Sequence, residues 1–199
     1  NNPDTEHSSG PVILMNATKE QGGVSSLSYM ATLVALLRLE EKLLGTETIG
    51  DAISKSIQAL QHIHTTRDLW LPKLSSLILA PDGVQFAAPL ERLTSAEQSA
   101  LMIRECARRK ADASEVGDWS HIDVYLTKST QYKLILFPGS PWTKNLLEWT
   151  EKRNSDVLQI GHESPTAELD YPFSENTIVR LLVEVTYAEL LGVTHWYED

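Results

Sequence analysis

The sequence predicts a three-layer αβα fold built on a mostly parallel sheet. The apolar runs are short, and they alternate with helical patterns along the chain. The runs are apolar at successive positions rather than at every second one, as strands covered on both faces require. At 199 residues with 42% hydrophobic content, the chain is long enough to bury a full core.

Taken in order, the run PVILMNA predicts a strand over residues 12–15, and EQGG then separates it from a helix that starts near Ser25 and Ser26 and stops at Gly45. A second helix is expected over 51–64, with Ile53, Ile57, Leu60 and His64 on its inner stripe. LSSLILAPDG reads as a strand over 77–79 that ends in a Pro-Asp-Gly turn. Thr94 or Ser95, followed by Glu97 and Gln98, has the pattern of a capping box. It would open a helix whose stripe is Ala96, Ala100, Ile103 and Ala107, which leaves Glu105 exposed or facing a cleft. Strands over 134–137 and 157–160 flank a helix over 143–153, and a last helix covers 174–191.

Seventeen basic and twenty-seven acidic side chains give a formal charge of −10, a field that opposes nucleic acid and anionic membrane surfaces. The basic run Arg104, Arg108, Arg109 and Lys110 lies among Glu105, Asp112 and Glu115 and reads as a solvated face. The most apolar stretch, from Leu27 to Leu37, is shorter than the ~20 residues of a bilayer span. It is therefore expected to be a buried helix or a subunit contact. Cys106 is the single cysteine, so no internal disulfide can form, which fits a reducing, cytoplasmic setting. The chain does not open on methionine and reads as a processed chain or a fragment. His62 and His64 lie two apart on one helix and face different ways, so no metal-ligand spacing is present.

Sheets of this kind bind ligands beyond the carboxyl ends of their strands. That rule singles out the loops 18–26, 81–95, 138–143 and 162–166. Two of them end in hydroxyl-bearing helix starts, Ser25 and Ser26 after Gly22 and Gly23, and Ser140 and Thr143 after Pro138 and Gly139. Backbone N–H groups and hydroxyls there could hold a phosphate, although the same residues serve as ordinary helix caps. Glu105 and His121 stand sixteen residues apart, an acid and an imidazole whose pattern by itself reads as surface.

Two segments carry a resemblance. EQGGVSSLSYMATLVALL and SAEQSALMIRECARRKADASEVGDWSH resemble the sugar isomerase (SIS) domain family, in particular the isomerase portion of glucosamine-6-phosphate synthase and the fructosamine-6-phosphate deglycases. The matching positions are Glu105, Ala111-Asp112-Ala113, Gly117-Asp118 and His121 in one segment and Glu20, Ser25 and Ser26 in the other. Leu27 stands where the family has Lys, Gln98 where its helix often has an earlier Glu, and Ile122 where Gly follows the His.

The resemblance implies an aldose–ketose type reaction, or a deglycation, on a sugar phosphate or amino-sugar phosphate. Glu105 would be the base that moves a proton between C1 and C2, and His121 the group that helps open the sugar ring, with no cofactor. Glu20, Ser25, Ser26, Ser140 and Thr143 would bind substrate. The family's Ser/Thr-rich phosphate loop lies upstream of everything present here, so residues 1–50 read as the end of a first SIS lobe and 51–199 as a second lobe. The alternative is a non-catalytic phosphosugar-binding or dimerisation module of a regulator. A homodimer or higher homo-oligomer is the expected assembly, because the helix after Ser26 is apolar on nearly every side.

Overall fold

The computed structural model describes residues 10, 12, 14–20, 22–162 and 164–196. The chain divides into two compact units, Asn1–Glu47 and Thr48–Asp199.

In the first unit an irregular segment over 14–20 precedes α1 (Leu27–Leu44). The expected strand over 12–15 is absent among its described residues, which carry no ladder. An apolar run alone does not make a strand when no neighbour pairs with its N–H and C=O groups. Gly45 closes α1 in the left-handed region (φ 67°), as its position predicted, and its N–H returns to the Glu41 carbonyl. Leu27, Leu36, Leu39, Leu43 and Leu44 of this helix are exposed.

The second unit is a parallel α/β layer structure. α2 (Ile49–Thr65) and α3 (Arg67–Ile78) lead into β1 (Val84–Ala88). A single 3-10 turn, Leu90–Arg92, then runs straight into α4 (Leu93–Glu105). β2 (Ala111–Glu115), α5 (Val116–His121), β3 (Lys133–Leu136), α6 (Thr143–Lys152) and β4 (Asp156–Gln159) follow, and α7 (Thr177–Val183) and α8 (Val185–Thr194) end the described chain. The four strands are all parallel, in the order β2-β1-β3-β4.

Alternation along the strands supplies both faces of the sheet with core. Ala87, Leu134 and Leu136 point to one side, where Val116 and Trp119 of α5 and Leu146 of α6 complete an apolar cluster. The Trp119 indole donates to the Tyr132 hydroxyl at 2.7 Å, which removes the cost of burying its N–H. Phe86 and Ile135, also buried, take the opposite side, the side of α4 with its buried Ala96, Ala100 and Ile103. Small residues there let α4 lie close both to the sheet and to α8.

Four local expectations are corrected. Residues 77–79 end α3 rather than form a strand, because Trp70, Leu74, Leu77 and Ile78 are buried at helical spacing. The Pro-Asp-Gly turn therefore precedes β1 instead of closing a strand. The capping box is not used: α4 begins at Leu93, and Ser95 and Ser99 are buried within it, the latter donating to the Ser95 carbonyl at 2.7 Å. The stripe of α2 is Ala52, Ser56, Ala59 and Ile63, one step round from the expected one, while Ile57 is 52% exposed and His64 is exposed as well. Small side chains let α2 approach α7 closely, so burial follows fit rather than size. The last helix is broken at Glu184 into α7 and α8.

Ala59→Leu should overpack the α2 contact and cost about 1–3 kcal/mol in urea unfolding. Ile57→Ala should stay within about 0.5 kcal/mol of the parent. The reverse order would restore the stripe read from hydrophobicity.

Candidate functional site

The rule for ligands in such sheets directs attention to the carboxyl edge, where β3 and β4 end. After β3 the chain passes Phe137, Pro138, Gly139 and Ser140 before entering α6, and after β4 it passes Ile160, Gly161 and His162. Between these exits lies a cleft of about 630 Å³, lined among others by Ser140, Thr143, Lys144, Gln159, His162 and Ser164. Ser140 is buried; its hydroxyl accepts the Trp142 N–H at 3.2 Å and its carbonyl accepts the Thr143 N–H at 3.0 Å, which shapes the first turn of α6. The Thr143 hydroxyl is out of contact with solvent and has no hydrogen-bond partner among the described residues. Glu148 and Glu151 stand on the same wall, with Lys144 4.0 Å from Glu148. Hydroxyl, amide, ammonium and carboxylate groups converging on one concavity suit a polyhydroxylated ligand that carries an anionic group.

A second set of groups ties the strand exits together from beneath. Arg92, at the entry to α4, and Glu184, at the break between α7 and α8, form an ion pair with side chains 2% and 1% exposed. Arg92 also donates to the Pro138 carbonyl, and the Tyr171 hydroxyl donates to Glu184 at 3.4 Å. Arg180 donates through Nε to the Ser174 carbonyl. Burial pushes the Glu184 carboxyl up from the ordinary 4.5 to about 7, with Arg92 and Arg180 pulling the other way. Burial likewise holds Tyr171 well above the ordinary phenol value. None of these residues stands out in the sequence as a site, although one signal is there: Glu184 interrupts the apolar run Leu181, Leu182, Val183 and Val185.

The residues that the sequence singles out fall into three places. Ser140 and Thr143 share the cleft. Glu20, Ser25 and Ser26 meet in the first unit at the start of α1, where Glu20 Oε1 accepts the N–H of Ser28 at 2.8 Å, the N–H of Ser26 at 3.0 Å and the Ser28 hydroxyl at 3.0 Å. The Ser25 and Ser28 hydroxyls are 2.5 Å apart. The Ser28 N–H, foremost among these donors, lowers the Glu20 carboxyl below its usual range. The helix start is thus supplied with a negative charge by the chain itself.

Glu105 and His121 are both exposed, and no hydrogen bond or ion pair links them among the described residues. Glu105 does not lie at the carboxyl rim of the sheet, where the ligand loops are. α4 leaves the carboxyl end of β1 and must run back to the amino end to begin a parallel β2, so its last residue lies at the amino edge. There Arg104 donates to the carbonyl of Ala111, the first residue of β2, at 2.6 Å. His121 closes the short helix that follows the carboxyl end of β2. Cys106 is free and buried, and burial raises its thiol.

Among the described residues, no group of three or more His, Cys, Asp or Glu side chains could hold a metal ion, and no helix is long and apolar enough to cross a membrane.

No protein-family model and no curated protein matches the chain. Solved structures do. Glucosamine-6-phosphate deaminase from Thermotoga maritima superposes with a TM-score of 0.67 at 17% identity, over 89% of this chain and 53% of the other. The C-terminal domain of glucosamine-fructose-6-phosphate aminotransferase from Francisella tularensis gives 0.65 at 14% identity, over 86% of this chain and 53% of the other. A protein of Escherichia coli CFT073, solved in complex with a sugar phosphate, gives 0.54 at 15% identity, over 75% of this chain and 91% of the other. The chain thus spans about half the length of the first two.

The buried acid makes stability depend on pH. The native chain holds a proton on Glu184 up to about pH 7, whereas the unfolded chain releases it near 4.5, so stability falls as pH rises through that window and is not regained above it. The groups facing Glu184 are Arg92, Arg180, Tyr171 and Tyr187, and burial raises both phenols above their ordinary value. Glu184→Gln should flatten the fall in urea midpoint between pH 5 and pH 8. An unchanged slope would show that another group controls it.

The all-parallel sheet with helices on both faces, together with these superpositions, establishes that the chain has the three-layer α/β fold of the SIS phosphosugar proteins.

Proposed function

We propose that the chain is a phosphosugar isomerase-type SIS domain that acts on a sugar phosphate or amino-sugar phosphate by aldose–ketose interconversion or deglycation. The observation that carries this reading is the shared fold with proteins of phosphosugar chemistry, which extends over 89% of the chain in the deaminase superposition. The cleft with Ser140, Thr143 and Lys144 is consistent with it, since its polar lining matches sugar hydroxyls and a phosphoryl group.

In this reading Glu105 is the base for the C1–C2 proton transfer and His121 assists ring opening. Both lie open to solvent, and a carboxylate base gains from water being excluded around it. The chemistry therefore calls for a second lobe or a second copy of the chain to cover these residues. The exposed leucines of α1 supply apolar surface for such an assembly, a homodimer in the simplest case. The proposed setting is cytoplasmic.

One observation favours a second reading, a non-catalytic phosphosugar-binding or dimerisation module: Glu105 and His121 make no contact with each other, and neither lines the cleft. Solvent exchange separates the two. Aldose and ketose phosphates incubated with the protein in D₂O should gain deuterium at C1 or C2, and Glu105→Gln should slow this by about 10²-fold or more while sugar-phosphate binding is kept. His121→Asn should slow reaction from the cyclic sugar more than from an open-chain analogue. Binding without any exchange, or exchange indifferent to Glu105→Gln, would place the module reading first.

A further inference from the structure

Ser140 and His162, on the two sides of the cleft, each follow a glycine. Gly139 has φ 120° and Gly161 has φ 96°, conformations that favour glycine. One buried cluster backs both. A Cβ at Gly139 would lie 3.1 Å from a terminal nitrogen of Arg92, and the same nitrogen donates to the Pro138 carbonyl. A Cβ at Gly161 would lie 3.5 Å from the Tyr171 hydroxyl and 3.7 Å from Glu184 Oε1. That carboxylate oxygen accepts the Arg92 guanidinium and, at 3.4 Å, the Tyr171 hydroxyl. The β4 side is tied further by the Gly161 N–H and the Tyr187 hydroxyl, which both donate to the Leu169 carbonyl, at 2.9 and 3.3 Å. Two strand exits distant in sequence thus share one acid.

Both charge states of that acid are within reach near neutrality. Burial raises its carboxyl to about 7, against the pull of Arg92, of Arg180 and of the Tyr171 bond. The groups that face it are Arg92 from the entry to α4, Arg180 from α7, Tyr171 from the segment after β4 and Tyr187 from α8, with Asp170 beyond Tyr187. Glu184 Oε2 is buried without a hydrogen-bond partner among the described residues, so a proton can be held there while Oε1 keeps its contacts. The proton nevertheless changes what Oε1 does. The ion pair becomes a bond to a neutral carboxyl, and Arg92, 2% exposed, is left as a buried charge without its counter-ion.

We propose that Glu184 is a positioning residue for both sides of the cleft, and that gain or loss of one proton at its carboxyl shifts the Gly139 and Gly161 exits together. In the ionised state Arg92 is held between Glu184 and the Pro138 carbonyl, and the cleft has the shape described above. In the protonated state the hold on the β3 exit weakens. A sugar ester that fits the ionised shape therefore binds more tightly above the titration than below it. That extension rests on the reading of the cleft as a sugar site. The joint movement of the two exits does not.

The test is an NMR pH titration of the full chain, followed through backbone amides. Without ligand, the Gly139, Ser140 and Gly161 amides should shift with one common midpoint near pH 7. Glu184→Gln, neutral throughout, should abolish that transition, whereas His162→Gln should leave it in place and so separate Glu184 from the imidazole next to Gly161. Glucose 6-sulfate serves as the ligand probe, since a sulfate ester keeps its charge across this range. It should bind about fivefold more tightly at pH 8 than at pH 6, and to Glu184→Gln at both pH values as weakly as to the parent at pH 6. Separate midpoints for the two exits in the unsubstituted chain, or a common transition that survives Glu184→Gln, overturns the proposal. Tighter binding at pH 6 would show that Glu184 acts on the ligand through its charge, and overturns it as well. A common midpoint without binding of this ester or of glucose 6-phosphate supports the positioning role and removes the sugar reading of the cleft.

Discussion

The buried pair of Arg92 and Glu184 is the constraint on which the carboxyl edge of this fold depends. Taking two charges out of water costs several kcal/mol for each ion, and their attraction only roughly repays it, so such a pair contributes little net stability. What it contributes is geometry. Arg92 stands between the exit of β1 and the entry to α4, and it reaches both the carbonyl that follows β3 and the acid at the junction of α7 and α8. Three chain segments distant in sequence, the β1–α4 connection, the loop after β3 and the α7–α8 junction, are held by one side chain. An apolar residue of similar volume could fill the space but could not fix the Pro138 carbonyl, and with it the path of the loop that carries Gly139 and Ser140.

The C-terminal helix is interrupted at the same acid. A continuous helix from α7 through α8 has the apolar pattern that the sequence displays, and the interruption falls at the residue that must pair inward. Thr177 and Val185 open two separate helices, the first capped by the Asn176 side chain, which accepts the N–H of Ile178 at 3.0 Å and of Val179 at 3.1 Å. Glu184 itself keeps helical dihedrals (φ −61°, ψ −35°) and donates its N–H to the Arg180 carbonyl at 3.1 Å, so the interruption is a local loosening of the hydrogen-bond ladder after it.

Legibility in the sequence follows the same division. β3 and β4 are visible because Leu134, Ile135, Leu136 and Val157 form apolar runs bounded by turns, and α6 and α1 because their ends carry ordinary stop signals. β2 is not. Ala-Asp-Ala-Ser-Glu has poor strand propensity, and it is a strand because the register Val84↔Ala111 through Ala88↔Glu115 supplies its ladder on one edge only. The end of α3 misleads because four apolar residues in a row do not distinguish a short buried strand from the last turn of a buried helix. At the site, Ser140 and Thr143 can be found from loop chemistry at a helix start, a local signal. Arg180 and Glu184 stand one helical turn apart, but no local rule brings Arg92 to them, since that association exists only once the parallel crossovers are in place.

The same crossovers bear on the two residues the sequence puts forward for catalysis. In a parallel βαβ unit the helix returns to the amino edge, so a residue at its last turn and a residue after the next strand are necessarily at different levels of the sheet. Glu105 and His121, sixteen residues apart, straddle β2 in this way. Within one copy of this unit they therefore do not form a pair around one small substrate, and any chemistry they share has to be assembled from two surfaces. In the proposed function, a carboxylate that receives its water-excluding cover only on assembly would be inactive alone, which would couple turnover to association. In the proposed function, sugar-phosphate recognition at the carboxyl-edge cleft has no such requirement, because the groups that line the cleft come from one chain. The proposed binding and the proposed catalysis thus make different demands on this fold: the lining of the cleft comes from one unit, and Glu105 and His121 need a second surface.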